Sequence, residues 1–327
     1  DLISSETEIQ RQQAIKIMSG RSADKFNALR EKLLKILSHI EAKIDFPDDD
    51  LPGDILKKIK KDSNDVLLTV KNILNDGGIG ECIREGFKIA IIGPANAGKS
   101  SLINYLSNRD VAIVSEIAGT TRDVIETHLN INGYPVIISD TAGIRDSKDE
   151  IEKKGIKLAL KKAEESDLKI VVLHPENLDF KPFLEDSNSE NTIVVLNKSD
   201  IKLGKPPGIG NYFRFNHLGK NLKDIKIIHT SIKEEKNLVD LINAIKEKLK
   251  KKFISSDDIL ITRERHRQHL QQCLDHLNNF NQKKEIEDFD KAAEDLRLAT
   301  RHLGMIVGKV DVEEILGSIF NDFCIGK

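Results

Sequence analysis

Gly93-Pro94-Ala95-Asn96-Ala97-Gly98-Lys99-Ser100 places two glycines, a lysine and a hydroxyl at the spacing of a phosphate-cradling loop. Phosphate binding needs backbone N–H groups that converge on an anion, and glycine permits the angles and close approach this demands. Lys99 would reach the outer phosphates and Ser100 would ligate Mg²⁺ at the N-terminus of a following helix. Asn96, Ala97, Gly98 and Ser101 are the other nucleotide contacts expected of this loop.

Three further clusters follow in order. In Asp140-Thr141-Ala142-Gly143, Asp140 can bind Mg²⁺ directly or through water. Gly143 can offer its amide to a terminal phosphate and change conformation when that phosphate leaves. In Asn197-Lys198-Ser199-Asp200, the carboxylate of Asp200 can accept both N1–H and N2–H of guanine. Adenine lacks that donor pair, so the site discriminates by leaving polar groups unpaired with the wrong base. Asn197 and Lys198 complete the motif, and Ser231 is expected to support the guanine loop. Between the first two clusters, Gly119-Thr120-Thr121-Arg122-Asp123 supplies a hydroxyl to finish the Mg²⁺ shell, Thr121 in first place and Thr120 as the alternative. Order and spacing point to a translation-factor-class GTPase fold. The position after DTAG, where Ras-like enzymes keep a water-positioning Gln, is Ile144, whose apolar side chain cannot orient water. Either turnover is slow or another residue supplies that role.

These clusters need strands to hold them. Residues 87–93 (FKIAIIG) are a short apolar run ending in glycine, the pattern of a buried parallel strand. Strand-like runs recur at 126–131, 134–140, 168–173, 192–196 and 226–229, with helical stretches at 100–107, 151–165 and 238–251. This alternation predicts a doubly wound, mostly parallel sheet. Both flanks are helical in period. Residues 1–45 carry Phe26, Leu29, Leu33, Leu37, Ile40 and Ile44; a second helix with Ile59, Val66 and Val70 stops at Gly77-Gly78. Beyond residue 252, Leu270, Leu274 and Leu277 share one face and Leu296, Ala299 and Leu303 another. Asp311 with Glu314 forms a capping box for a last helix. The expected organisation is α/β plus all-α: residues 1–85 helical, 86–252 a GTPase domain, and 253–327 helical again. One helical domain built from both ends is the simplest form; two separate helical domains would give the same pattern.

Lys and Arg number 51 against 53 Asp and Glu, so no global basic field draws the chain to nucleic acid, and any RNA contact uses a local patch or a partner. No apolar run is long enough to cross a membrane. Three cysteines without CxxC spacing argue against a disulfide framework or zinc site and fit a reducing cytoplasm. A chain that begins at Asp1 reads as a piece of a longer protein.

The sequence resembles the MnmE (TrmE) family of tRNA-modification GTPases over essentially its whole length. The resemblance rests on AKIDFPDDD (42–50), GPANAGKSSLIN (93–104), AIVSEIAGTTRDV (112–124), DTAGIR (140–145) and the terminal FCIGK (323–327). Ala95, where the family usually has Pro, and His174-Pro175 are mild departures. The family carries a further N-terminal folate-binding domain that forms a homodimer, and that segment is expected to be missing here. The resemblance implies G domains that pair around K⁺, held by Asn96, the carbonyls of Ser115 and Ile117, and Thr120. It implies Glu152 as the residue orienting the attacking water; residue type alone makes it a solvated charge on a Lys/Glu-rich helix. It implies Cys324 as a residue needed for tRNA modification; from type alone it is a small buried hydrophobe. Lys327 is one candidate for lowering its pKa. Cys82 and Cys273 are expected to be structural. The implied partners are tRNA and the FAD-dependent protein MnmG, and the implied product is a wobble uridine modified at carbon 5.

Two competing readings stand beside this one. A ribosome-assembly GTPase would keep hydrolysis without any need for Cys324. A nonenzymatic GTP-gated interaction module would show negligible turnover.

Overall fold

The computed structural model describes residues 1–45, 55–76, 78–109, 126–140, 159–175, 183, 190–201, 225–253, 259–283 and 289–309. The chain divides into two compact units, Asp1–Arg11 with Glu85–Ser255 and Gln12–Arg84 with Ser256–Lys327.

The first unit is built on six strands: β1 (Phe87–Ile92), β2 (Glu126–Ile131), β3 (Tyr134–Asp140), β4 (Leu168–Leu173), β5 (Thr192–Leu196) and β6 (Lys226–His229). Their order is β2-β3-β1-β4-β5-β6. All neighbours run parallel except the β2–β3 hairpin, which turns at Asn132-Gly133 with Asn130 Oδ1 accepting the Gly133 amide at 2.8 Å. In β1 every residue but Lys88 is buried, and β4 and β5 are buried throughout. That is why these runs read as continuous apolar stretches: a parallel strand is covered on both faces. Successive side chains alternate between two cores. Ile89, Ile91, Val172 and Val195 pack with Leu102 and Leu106 and with Leu241 and Ile245, whereas Ala90, Ile92, Val171 and Val194 pack with Ala159 and Ala163. The first set of helical residues lies on the helices Lys99–Arg109 and Leu238–Phe253. Of the helix expected at 151–165, residues 159–164 are described and helical.

The second unit is helical. Residues 1–45, expected as one helical stretch, form α1 (Glu8–Met18), whose first four residues belong to the first unit, and α2 (Arg21–Asp45), because Gly20 adopts a left-handed φ of 86° that ends α1. After α3 (Ile55–Leu74) the sequence predicts a stop; the chain instead adds the short helix α4 (Ile79–Glu85), which buries Ile79 and Ile83. Seven residues are too few for a helical period to register. The helices of the first unit, Lys99–Arg109 and Leu238–Phe253, are α5 and α6 in chain order, followed by α7 (Glu264–Gln282) and α8 (Phe289–Val307). Leu33, Leu37 and Ile40 of α2, Val66 and Val70 of α3, Leu270 and Leu277 of α7, and Leu296 and Leu303 of α8 form one core. Both flanks of the sequence therefore contribute to a single helical core. Each fully buried Leu or Ile contributes about 1.5–3 kcal/mol. Arg267 of α7 fixes the α3–α4 junction: its guanidinium donates to Glu81 at 2.7 and 3.1 Å, to the Leu74 carbonyl at 2.9 Å and to Asp76. The expected last helix, with Val312, Ile315, Leu316 and Ile319, lies outside the described residues.

Candidate nucleotide-binding site

Parallel strands bring their carboxyl ends to one sheet edge, where open α/β sheets bind ligands. Gly93 follows β1, Asp140 ends β3 beside Ile91, Asn197 follows β5 and Ser231 follows β6 by two residues. Motifs separated by more than a hundred residues thus meet along one rim.

The phosphate loop is fixed by its own backbone. Asn96 takes a left-handed φ of 59° and Gly98 a φ of 100°. A Cβ on Gly98 would come within 2.2 Å of Asn197 Nδ2, so the glycine is required by close approach as well as by its dihedral. Lys99 lies over the loop, its ammonium donating to the Gly93 and Pro94 carbonyls at 2.9 and 2.8 Å. Ser100 and Ser101, both exposed, open the first turn of α5, which carries no acidic residue to oppose an incoming anion.

The guanine side is joined to the phosphate loop by one side chain. Asn197, 3% exposed, donates from Nδ2 to the Ala97 carbonyl at 2.9 Å and accepts the Ile232 amide on Oδ1 at 3.2 Å. Its amide therefore acts as a tie between three loops. Lys198 adopts a left-handed φ of 59° within the same motif. Asp200 accepts the Ser231 hydroxyl at 2.7 Å. That bond first, then its own backbone amide, holds the Asp200 carboxyl below the ordinary aspartate range. At neutral pH it is a carboxylate, the form that can accept two guanine N–H groups. Ser231 also accepts the Glu234 amide at 3.2 Å, and backbone bonds between Ser231 and Lys236 close the loop. The Asn197–Ile232 contact and the Asn237 bond to the His229 carbonyl were invisible in the sequence, since backbone partners leave no residue-type signal.

The structure gathers Asn96, Ala97, Gly98, Lys99, Ser100, Ser101, Asn197, Lys198, Asp200 and Ser231, and brings the backbone of Asp140 to the same rim. Ser115, Ile117, Thr120, Thr121, Gly143, Glu152 and Cys324 lie outside the described residues. Of the other cysteines, Cys82 is partly exposed and Cys273 is buried. Among the described residues no group of three or more His, Cys, Asp or Glu could hold a metal ion, and no helix is long and apolar enough to cross a membrane.

The model of the MnmE helical domain matches residues 1–324. A tRNA modification GTPase MnmE from Pelagibacter ubique is 71% identical over 327 residues, covering 100% of this chain and 71% of that protein. The chain belongs to the MnmE family. Its MnmE relative in Rickettsia bellii is 45% identical over 331 residues, again covering 100% of this chain and 71% of the relative. Among solved structures, a GTP-binding protein from Sulfolobus solfataricus in complex with GDP aligns over 68% of this chain and 67% of its own, at 19% identity and a TM-score of 0.37.

Proposed function

We propose that this MnmE-family chain hydrolyses GTP and that the cycle serves tRNA modification at carbon 5 of the wobble uridine. The observation that carries the reading is the continuous tie from Ala97 through Asn197 to Ile232, with Asp200 held ionised beside Ser231. It makes phosphate cradle and guanine reader one unit. Mg²⁺ would be held by Ser100, Asp140 and Thr121, where it would neutralise charge on the outer phosphates.

The finer reading follows the family. G domains of two copies pair around K⁺ bound by Asn96, the Ser115 and Ile117 carbonyls and Thr120. K⁺ held there would supply the positive charge that an arginine finger supplies in other GTPases, which would compensate for Ile144 at the position of the absent Gln. Glu152 orients the attacking water through a second water. Opening and closing of the paired domains repositions the helical domain bearing Cys324, which acts on the tRNA with the FAD-dependent partner MnmG.

Cys324→Ser tests the assignment to tRNA modification. GTP turnover is expected within twofold of the unaltered chain, while wobble-uridine modification, assayed with the partner and tRNA by nucleoside mass spectrometry, is lost. Unchanged modification would contradict the role given to Cys324, and absence of modification by the unaltered chain would favour a ribosome-assembly GTPase.

A further inference from the structure

The tRNA reading leaves open how a chain of net charge −2 meets a polyanion. The helical unit carries a local answer in the seam between α7 and α8. Arg265, His269 and His276 recur along one face of α7 at helical spacings of four and seven, and Lys283 caps its end. Opposite them on α8 stand Asp295 and His302, seven apart. His302 lies between two imidazoles, its ring centroid 5.5 Å from His269 and 5.7 Å from His276, both rings stacked on it. The Nδ1 atoms of His269 and His302 are 3.3 Å apart, so one must be unprotonated to accept from the other.

Charge is distributed unevenly along this seam. At one end Asp295 meets Lys283 at 2.7 Å and His276 at 3.4 Å. At the other end stand Arg263, Arg265, His266, His269, Arg301 and His302. Glu81 and Asp76, the nearby acids of the α3–α4 junction, are engaged by Arg267, and Glu264 sits against Gln268 at 3.5 Å. Arg265 and Arg301 are exposed, and the four histidines of the seam are partly exposed. Burial, then the charges of Arg265, Arg263 and His269, hold His266 below the ordinary histidine value, with Glu81 opposing them. Burial, then His269, His276 and Arg301, do the same to His302. Among the described residues, Arg265, His266 and His269 of α7 and Arg301 and His302 of α8 thus bring cationic groups from two helices close together.

We infer that the α7–α8 face bearing Arg263, Arg265, His266, His269, Arg301 and His302 binds the phosphate backbone of RNA, and that its histidines couple binding to proton uptake. The inference rests on the tRNA-modification reading and names where that RNA is gripped. Guanidinium groups match phosphate in a bidentate geometry, and imidazole rings can stack on unpaired bases. Burial first, and neighbouring cations second, hold His266 and His302 below the ordinary histidine value, and an approaching phosphate would oppose the second of these, so binding would take up protons. Lysines on α3 provide the comparison: Lys57, Lys58 and Lys61 are also exposed, without stacked rings or arginines among them.

The experiment measures binding of fluorescently labelled tRNA to the full chain as a function of salt and pH. Arg265→Glu with Arg301→Glu is expected to weaken binding more than about tenfold and to reduce the slope of log affinity against log salt by about 2. Lys57→Glu with Lys61→Glu is expected to stay within about threefold. The unaltered chain binds more tightly at pH 5.5 than at pH 7.5, and His266→Gln with His302→Gln flattens that dependence. GTP turnover by all variants stays within twofold, since every substituted residue belongs to the helical unit. The neutral pair Arg265→Gln with Arg301→Gln gives the same direction at smaller size. Unchanged binding by both arginine pairs, an equal loss in the α3 variant, or competition by polyglutamate as effective as by unlabelled tRNA would each overturn the inference. Absence of tRNA binding to the unaltered chain would overturn it too, while the modification reading is decided separately by the wobble-uridine assay.

Discussion

At the residue scale, the proposed site assigns nucleotide specificity and integrity to two side chains. Asp200 is held as a carboxylate by Ser231 and so can only accept hydrogen bonds. Replacing it by Asn supplies a donor where guanine also presents donors. Xanthine, with a carbonyl at carbon 2, suits that donor. Asp200→Asn is expected to lose GTP affinity by about 100-fold and to gain affinity for xanthosine triphosphate, measured by fluorescent-nucleotide displacement. Asn197 tests the tie itself. Asn197→Ala leaves the buried Ala97 carbonyl and the Ile232 amide without this partner, each costing about 1–3 kcal/mol. GDP affinity should fall at least tenfold, with the sheet intact by circular dichroism. The motif residues were legible because phosphate and guanine chemistry dictates their types. The role of Asn197 was not, because its partners are backbone groups of Ala97 and Ile232, 100 and 35 residues away in sequence.

At the scale of elements, strands were read closely and short helices were not. Apolar runs such as 168–173 and 192–196 stand out because both faces of β4 and β5 are buried, whereas α4 is too short to show a period. The break at Gly20 was also overlooked, since apolar spacing continues on both sides of it. The α7 helix makes two predictions. Burial pushes the Cys273 thiol up to about 12, so at pH 8 it is almost wholly protonated, while Cys82 is partly exposed. Iodoacetamide should modify Cys82 at least about tenfold faster than Cys273 under native conditions, read by peptide mass mapping. His302 and His266 have folded-state pKa values lowered below their unfolded ones. Their neutral forms favour the folded state, so this contribution is full above about pH 6.5 and is lost as pH falls below it. The thermal midpoint of the helical unit should therefore drop between pH 7 and pH 5, and His302→Gln should make the drop shallower.

At the scale of the whole molecule, three apolar clusters share no residue, two on the faces of the sheet and one among the helices, so the α/β unit and the helical unit each carry their own core. The sequence showed this as a change of period at residue 87 and a return after 252. We propose that residues 86–252 are an independent GTPase domain; expressed alone they should bind GDP within about fivefold of the full chain. The full chain should then unfold in two calorimetric transitions, only one of which shifts with GDP. The proposed K⁺-dependent pairing of G domains is the centre of the functional account. The measurement that tests it most directly is GTP turnover with Mg²⁺ in K⁺ against Na⁺ at equal ionic strength, over a range of protein concentrations. The account predicts faster turnover in K⁺, with specific activity rising as concentration increases. Equal, slow turnover in both salts at every concentration would contradict it.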